Sequence, residues 1–267
     1  MEIITSKQNQ YVKLAKSLKD KKHRDQEGLY LAEGVCLAEE AVMSTVEIAY
    51  ALINPEIEHS DRGKRLLQDL KRRQVMVYQL SEPLLKYCAD TVNPQGVILV
   101  IKKEAISQKH LLAGNCAFYF LADRLQDPGN LGTILRTARA AGADGAILLD
   151  GSVDQYHPKV VRAAMGAVFN LPVYLVKDEN EAWSLIKKAG LKIQVAGADG
   201  ETVFNGSDLT QPLVWVLGSE AHGVSQFWRQ RADNCLSLPL AKGVESLNVA
   251  VAAGVLFYET WRQRFGQ

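Results

Sequence analysis

The chain has 267 residues, of which 47% are hydrophobic and 23% are charged, and 31 basic against 30 acidic residues leave a net charge of +1. This apolar content excludes wholesale disorder, and the length suits one large domain or two modest ones. No apolar run approaches the roughly 20 residues that span a bilayer, and the N-terminus lacks the apolar core of a secretory signal. We therefore expect a cytoplasmic protein with no membrane partner.

Strand-like and helix-like segments alternate along the chain. In the first half, the pattern predicts strands at 30–31, 48–53, 75–80 and 97–101, and helices at 35–43, 63–73 and 82–88. In the second half, it predicts strands at 118–122, 146–149, 173–176, 192–196, 213–217 and 235–238, and helices at 131–141, from 158, at 181–189 and at about 246–263. Near-continuous apolar strands alternating with helices indicate parallel sheets covered by helices. The polar segment 103–115 predicts a linker between domains at 1–102 and 116–267.

The four cysteines, Cys36, Cys88, Cys116 and Cys235, are widely scattered. They form no C-x-x-C pair and have no histidine at metal-ligand spacing. We interpret them as buried thiols of a reducing compartment, and we expect no metal site.

The N-terminal segment is locally basic, with seven basic and two acidic residues up to residue 24. Such a segment is typical of an arm or helix that contacts nucleic-acid phosphates. A solvated helix face is the alternative, because surface helices often carry lysine. The candidate RNA-binding residues are Lys7, Lys13, Lys21, Lys22 and Arg24.

Three polar, glycine-bearing segments follow predicted strands in the second half. The first is 127–133, a Pro-Gly turn in which Asn130 is suited to cap the next helix; on that helix Arg136 lies off the apolar stripe. The second is 218–223, which carries Glu220 and His222 among glycines. In a parallel sheet such loops lie at the carboxyl edge, where these folds bind ligands.

The third segment is 238–248, which leads into the last helix. Ser246 is suited to cap that helix, and Asn248 then falls in its first turn, where an amide needs a hydrogen-bond partner. Three such loops within one α/β half predict a single shared cleft. Neither a dinucleotide-binding glycine motif nor a Walker loop is present.

These segments resemble the three motifs of the SpoU/TrmH family of RNA ribose methyltransferases, which belongs to the SPOUT superfamily. The matching residues are Asn130-x-Gly132 with Arg136, then Gly218-x-Glu220-x-x-Gly223, then Glu245-Ser246-Leu247-Asn248-Val249. The N-terminal half is similar to the ribosomal-protein-L30e-like α/β module that many members carry, at Glu33-Gly34 and Asn93-Pro94-Gln95-Gly96.

The resemblance implies an α/β protein with a small L30e-like domain followed by a parallel-sheet SPOUT domain with a deep trefoil knot. It also implies a homodimer through the C-terminal domain, with S-adenosylmethionine bound in the knot. The residues that match the family's functional positions are Asn130, Arg136, Glu220, Ser246 and Asn248. The residues that match its cofactor-binding positions are Leu217, Gly218, Gly223, Leu238 and Leu247.

The activity implied is methyl transfer to a ribose 2′-hydroxyl of RNA, with ribosomal RNA as the first expectation and tRNA as the alternative. Arg136 stays protonated, so it suits a phosphate or the developing alkoxide better than it suits the role of a base. Glu220, Ser246 or the RNA itself remain as alternatives for proton removal. A non-catalytic RNA-binding assembly factor and a base methyltransferase of the same fold are the competing interpretations.

Two positions depart from the pattern of many family members. Lys242 stands where glycine is common, with Gly243 one place later, and this affects the expected adenosine contacts. His157 stands where serine is common, before Pro158, so it either touches substrate or caps a helix.

Overall fold

The computed structural model describes residues 2–104, 117–204 and 207–266. These residues form two compact units: the first comprises Met1–Ala105 and Asp154–Asn170, the second Ile106–Val153 and Leu171–Gln267. The predicted division at 103–115 assigns residues 154–170 to the C-terminal domain, whereas the structure places them in the first unit. The reason is packing, because Tyr156, Val161 and Phe169 belong to the core of the first unit. Most of the predicted linker, residues 105–115, lies outside the described residues.

Most of the helices and strands follow the sequence pattern, whereas the strand at Glu2–Ile4 and the helices at Gln10–Ser17, Lys21–Glu27 and Gln226–Arg229 are additional to it. The strands are β1 (Glu2–Ile4), β2 (Leu29–Glu33), β3 (Ile48–Ile53), β4 (Val77–Leu80), β5 (Val97–Lys102), β6 (Phe118–Asp123), β7 (Gly145–Leu149), β8 (Val173–Val176), β9 (Lys192–Thr202), β10 (Leu213–Gly218) and β11 (Asn234–Ser237). The helices are α1 (Gln10–Ser17), α2 (Lys21–Glu27), α3 (Val35–Met43), α4 (Asp61–Arg72), α5 (Glu82–Cys88), α6 (Pro128–Ala140), α7 (Pro158–Ala164), α8 (Glu179–Lys188), α9 (Gln226–Arg229) and α10 (Val249–Phe265).

The sheet of the first unit is mixed, so the expectation of a parallel sheet is wrong there. Its strand order is β1-β4-β3-β5-β2, and β5 runs antiparallel to both of its neighbours. Residues 97–101 of β5 are all buried. A strand buried on both faces is apolar throughout whichever way it runs, so its composition does not reveal its direction.

The sheet of the second unit is parallel, as predicted, with strand order β11-β9-β10-β6-β7-β8. The central strands β6 and β10 are buried along their whole length, which explains their uninterrupted apolar sequences. Their register pairs Gly218 with Asp123 at their carboxyl ends. The loops that follow the two strands therefore start side by side.

Strand β9 is longer than the predicted segment 192–196, and its pairing with β11 is irregular. Cys235 pairs with Val195, but the next residue, Leu236, pairs with Glu201. Residues 196–200 therefore bulge from the ladder. Among the described residues, no helix is both long enough and apolar enough to cross a membrane.

Candidate active site

The loops that follow β6, β10 and β11 meet beside a cavity of about 520 Å³ in the second unit. All five predicted cofactor-binding residues line this cavity: Leu217, Gly218, Gly223, Leu238 and Leu247. Glu220, Ser246 and Asn248 line it as well. The structure thus brings together the second and third motifs in one concave site.

The loop 219–223 is closed tightly onto the end of β10. Gly223 N–H donates to the Ser219 carbonyl at 2.9 Å, and Ser219 N–H donates to the Gly223 carbonyl at 3.2 Å. A Cβ atom on Gly218 would lie 2.0 Å from the carbonyl carbon of Gly223, so only glycine permits this closure. Gly223 itself has a φ of 66°, which glycine adopts without strain.

A chain of hydrogen bonds connects the three motifs. Asn248 Nδ2 donates to Asn130 Oδ1 at 3.0 Å, and Asn130 Nδ2 donates to Glu220 Oε1 at 2.7 Å. Asn248 Oδ1 accepts from the backbone N–H groups of Ala250 and Val251 at 2.9 and 3.3 Å. The predicted shared cleft is therefore present at these three side chains.

The direction in which these hydrogen bonds are donated follows from the contacts that Asn248 makes at the start of α10. Backbone N–H groups only donate, so Asn248 must turn its oxygen to the helix and its amide nitrogen to Asn130. Asn130 then presents its own nitrogen to Glu220, which must accept. Among the described residues, Glu220 Oε2 makes only a long 3.5 Å contact with the Gln126 N–H, which leaves this oxygen available to a substrate.

Two predicted helix caps are corrected by these contacts. Helix α6 begins at Pro128 and is capped by Asp127, whose carboxylate accepts from the Asn130 N–H at 2.7 Å. Helix α10 is capped by Asn248 and not by Ser246. The amide of Asn130 is thereby free to face Glu220, and Ser246 lies exposed in the preceding loop.

Arg136 lies apart from this cluster. It is exposed on α6, six residues or about 9 Å of helix rise beyond Asn130, and it does not line the cavity. Within the described part of the chain, its guanidinium has no hydrogen-bond or ion-pair partner. It is therefore available to contact a group on another molecule.

Sequence reasoning missed Asp123, which fixes the backbone next to the site through a buried hydrogen bond. Its side chain is 2% exposed, and Oδ2 accepts from the Ser225 N–H at 2.8 Å. Arg124 donates to Oδ1 at 2.9 Å and also pairs with Glu179. The sequence does contain a signal for this role, namely an aspartate at the end of an apolar strand. A carboxylate that is buried there needs hydrogen-bond donors around it.

It also missed Arg229, which lines the cavity. Arg229 pairs with Asp199 of the β9 bulge at 2.8 Å. Hydrogen bonding within this pair raises the pKa of Arg229 and lowers the pKa of Asp199. No motif marks either residue, because Asp199 and Arg229 are 30 residues apart in the sequence, and local sequence patterns do not reveal a contact over that separation.

The predicted RNA-binding residues divide into two groups. Lys7, Lys13, Lys21 and Lys22 are exposed on the first unit, and Lys7 also lies 4.8 Å from the ring centroid of Tyr87.

Arg24 is a correction to that prediction, because its side chain is only 2% exposed. Its guanidinium donates to Asp154 Oδ2 at 2.9 and 2.7 Å and to the carbonyls of Leu18 and Lys19. A guanidinium that is buried and makes four hydrogen bonds within the first unit is not available to contact phosphate.

The two departures from the family pattern have simple local structures. His157 caps α7, with Nδ1 accepting from the Lys159 N–H at 3.1 Å. Burial, and then the charge of Arg24, lower the pKa of His157. Lys242 is exposed in the loop before α10, next to Gly243 with its φ of 87°.

Comparison with known proteins identifies the class to which this fold and site belong. The SpoU rRNA Methylase family matches residues 117–258, and an MRM3-like substrate binding domain matches residues 9–99. The chain therefore belongs to the SpoU rRNA methylase family, and the resemblance drawn from the three motifs is confirmed.

Individual relatives match over nearly their whole length. The chain is 33% identical to the 23S rRNA (guanosine(2553)-2′-O)-methyltransferase RlmP of Bacillus subtilis, covering 97% of this chain and 98% of that protein. It is 30% identical to the 23S rRNA (uridine(2479)-2′-O)-methyltransferase of Streptomyces viridochromogenes, covering 98% and 92%. The crystal structure of an AdoMet-bound rRNA methyltransferase from Sinorhizobium meliloti superimposes with a TM-score of 0.86 at 29% identity, covering 98% and 97%.

Proposed function

We propose that this protein transfers a methyl group from S-adenosylmethionine to the 2′-hydroxyl of a ribose in RNA, with large-subunit ribosomal RNA as the substrate. The observation that carries the proposal is the hydrogen-bond chain from Asn248 through Asn130 to Glu220 at the rim of the cavity. Relatives that match along almost the whole chain are named as 23S rRNA 2′-O-methyltransferases, which supports both the reaction and the substrate.

The cavity fits the proposed cofactor. Its volume of about 520 Å³ lies within the range of pockets that hold ligands of this size. Leucine side chains at 217, 236, 238, 247 and 256 supply apolar walls for an adenine ring. Glu220 supplies a negative charge on the side where a positively charged sulfonium would react.

The bound cofactor would supply a methyl group on a sulfonium, which reacts with an oxygen that approaches in line. The protein's part is to position the ribose and to ease the loss of its proton. Glu220 Oε1 accepts from Asn130, and the less engaged Oε2 is the oxygen best placed to accept from or orient the 2′-hydroxyl. Holding two reactants in this geometry contributes several kcal/mol to lowering the barrier.

Arg136 acts on the RNA side of the site in this proposal. Its guanidinium keeps its charge at any ordinary pH, and it lies off the cavity wall with no partner among the described residues. It therefore suits a phosphate next to the target nucleotide, or the ribose oxygen once RNA or a second protomer closes over the site.

The exposed lysines of the first unit supply general phosphate contacts. Lys13, Lys21 and Lys22 lie on α1 and α2, and their side chains reach solvent. Such contacts strengthen binding to any sequence, whereas the choice of nucleotide depends on RNA shape and splayed bases.

We also propose the knotted chain path, the homodimer and the cytoplasmic location that the family resemblance implies. Helix α10 supports the dimer, because a stripe of its apolar side chains is exposed. The stripe consists of Val251, Val255, Tyr258, Trp261 and Phe265. An apolar stripe of this length is typical of a helix that packs against another chain. Sedimentation equilibrium of the full-length protein tests the dimer, and a monomer at micromolar concentration would contradict it.

The proposed activity is tested by transfer of labelled methyl from S-adenosylmethionine to ribosomal RNA that lacks modifications, followed by digestion to nucleosides. A labelled 2′-O-methylnucleoside is expected with the wild type and a loss of at least tenfold with Arg136→Ala. The control is Lys187→Ala, which removes an exposed positive charge from α8 of the same unit. Label on a base, or undiminished transfer by Arg136→Ala, would contradict the assigned reaction or the assigned residue respectively.

A further inference from the structure

The bulge in β9 opens onto the cavity at a place that none of the three motifs occupies. Ala196 and Gly197 of the bulge line the cavity, and Asp199 follows two residues later. Bulges redirect side chains and often lie beside functional sites. A Cβ atom on Gly200 would lie 2.4 Å from the Cys235 carbonyl oxygen, so the path of the bulge itself requires glycine.

Arg229 lies against this bulge. Its Nη1 donates to both carboxylate oxygens of Asp199 at 2.8 and 2.9 Å, and its Nε donates to the Val224 carbonyl at 3.2 Å. Its Nη2 has no hydrogen-bond partner within the part of the chain that the structure describes. A Cβ atom on Gly197 would lie 3.3 Å from Nη2, which places this nitrogen against the cavity wall.

The charges around the cavity limit the kinds of ligand group that Arg229 and Asp199 can bind. Among the described residues that line the cavity, Arg229 is the one basic side chain and Glu220 the one acidic side chain. Arg229 is neutralised by Asp199, whose side chain is 71% exposed and retains free lone pairs. A carboxylate that approached Arg229 would also meet the carboxylate of Asp199.

A neutral pair that offers the free NH₂ group of Nη2 as donor and a carboxylate as acceptor is complementary to hydroxyl groups, which both accept and donate. S-adenosylmethionine carries such groups only as the two neighbouring hydroxyls of its ribose. We propose that Arg229 and Asp199 bind this diol, with Arg229 Nη2 donating to one hydroxyl oxygen and an Asp199 carboxylate oxygen accepting a hydrogen bond from a hydroxyl.

This inference rests on the proposed function, because it takes the cavity to hold the adenosyl cofactor. It places the ribose of the cofactor at the β9 side of the cavity. The sulfonium is then left to face Glu220 and the amides of Asn130 and Asn248. Arg229 and Asp199 would contribute to cofactor affinity and would not take part in the transfer itself.

Calorimetric titration of the full-length protein with S-adenosylhomocysteine tests the inference without depending on activity. Arg229→Met is expected to weaken binding about tenfold, which corresponds to about 1.4 kcal/mol. Asp199→Asn keeps the shape of the side chain and is expected to weaken binding about threefold. The control is Arg231→Met, which removes an exposed arginine that does not line the cavity.

Analogues of the ligand identify the group that is contacted. The same titrations are made with the 2′-deoxy and 3′-deoxy analogues of S-adenosylhomocysteine. For at least one of them, Arg229→Met should lower the affinity less than threefold, because the hydroxyl that Arg229 contacts is already absent. An undiminished tenfold loss with both analogues would overturn the ribose contact. A loss that disappears instead with 5′-methylthioadenosine, which lacks the amino-acid carboxylate, would overturn it in favour of that carboxylate.

The failure of this inference is distinguishable from failure of the proposed function. Wild-type protein that binds no S-adenosylhomocysteine would overturn the cofactor site as a whole. Wild-type binding that is matched by both Arg229→Met and Asp199→Asn would overturn only the role of the pair. Melting temperatures without ligand establish that each variant is folded before its affinity is compared.

Discussion

Replacement of Arg24 by methionine is expected to destabilise the first compact unit. The side chains of Arg24 and Asp154 are 2% and 10% exposed, so their ion pair lies almost entirely out of water. Four hydrogen bonds originate from the guanidinium: two reach Asp154, and one each reaches the carbonyls of Leu18 and Lys19. Methionine fills most of the volume but provides no donor.

The magnitude follows from the carboxylate that is left behind. Removing one partner of a buried ion pair costs about 3–5 kcal/mol, because the other charge stays buried without compensation. The carbonyls of Leu18 and Lys19 also lose a donor, and the Leu18 carbonyl lies in a buried residue, where water does not readily replace the bond. The figure for the ion pair is therefore a lower bound for the whole effect, and it is a large part of the 5–15 kcal/mol that stabilises a typical domain.

Urea unfolding with two optical probes measures the effect. The four tryptophans, Trp183, Trp215, Trp228 and Trp261, all lie in the second unit, so their fluorescence reports on that unit. Circular dichroism in the far ultraviolet reports on both units. The Arg24→Met variant should therefore show an early transition in circular dichroism that tryptophan fluorescence does not follow.

Lys22→Met is the matched control, because Lys22 lies two residues away on the same helix and is exposed. Its effect should stay within about 0.5 kcal/mol, as for most surface substitutions. The reasoning would be refuted if Arg24→Met cost less than about 1 kcal/mol, or if it weakened RNA binding without changing stability. The second outcome would restore Arg24 to the RNA-binding surface that the sequence predicts.

Three further predictions concern the cofactor loop, pH and RNA. Gly218→Ala should lower the affinity for S-adenosylhomocysteine more than tenfold, because the added Cβ atom collides with the backbone of the loop 219–223; unchanged calorimetric affinity would contradict this. Burial lowers the pKa of His157 below its ordinary 6.5, so the unfolded chain binds a proton that the folded protein disfavours, and stability should fall as the pH drops below 6.5. His157→Asn should flatten that part of a pH–stability curve, and an unaltered curve would count against the assignment. Lys21→Glu with Lys22→Glu should weaken RNA binding and reduce its salt dependence in filter-binding assays, whereas unchanged binding would favour a merely solvated helix face.

Much of the candidate site could be predicted because its residues are contained in short local motifs. Gly218 and Gly223 share one turn, and Ser246 and Asn248 share one loop, so spacing alone places each pair. The cavity collects the predicted cofactor residues because the carboxyl ends of parallel strands lie at one edge of a sheet. Caps were predicted less well, because several side chains of similar chemistry precede each helix. Asp127 and Asn248 take those positions through contacts that spacing does not specify.

The sequence by itself determined the alternation of strands and helices, the parallel sheet of the second unit and the family to which the chain belongs. These features depend on periodicity and on local motifs, which are read from neighbouring residues. Only the tertiary structure decided that β5 runs antiparallel, that residues 154–170 pack with the first unit, and that Arg24 is buried against Asp154. Each of these depends on contacts between distant residues, and an arginine that pairs inside the protein has the same local sequence signature as one that faces RNA.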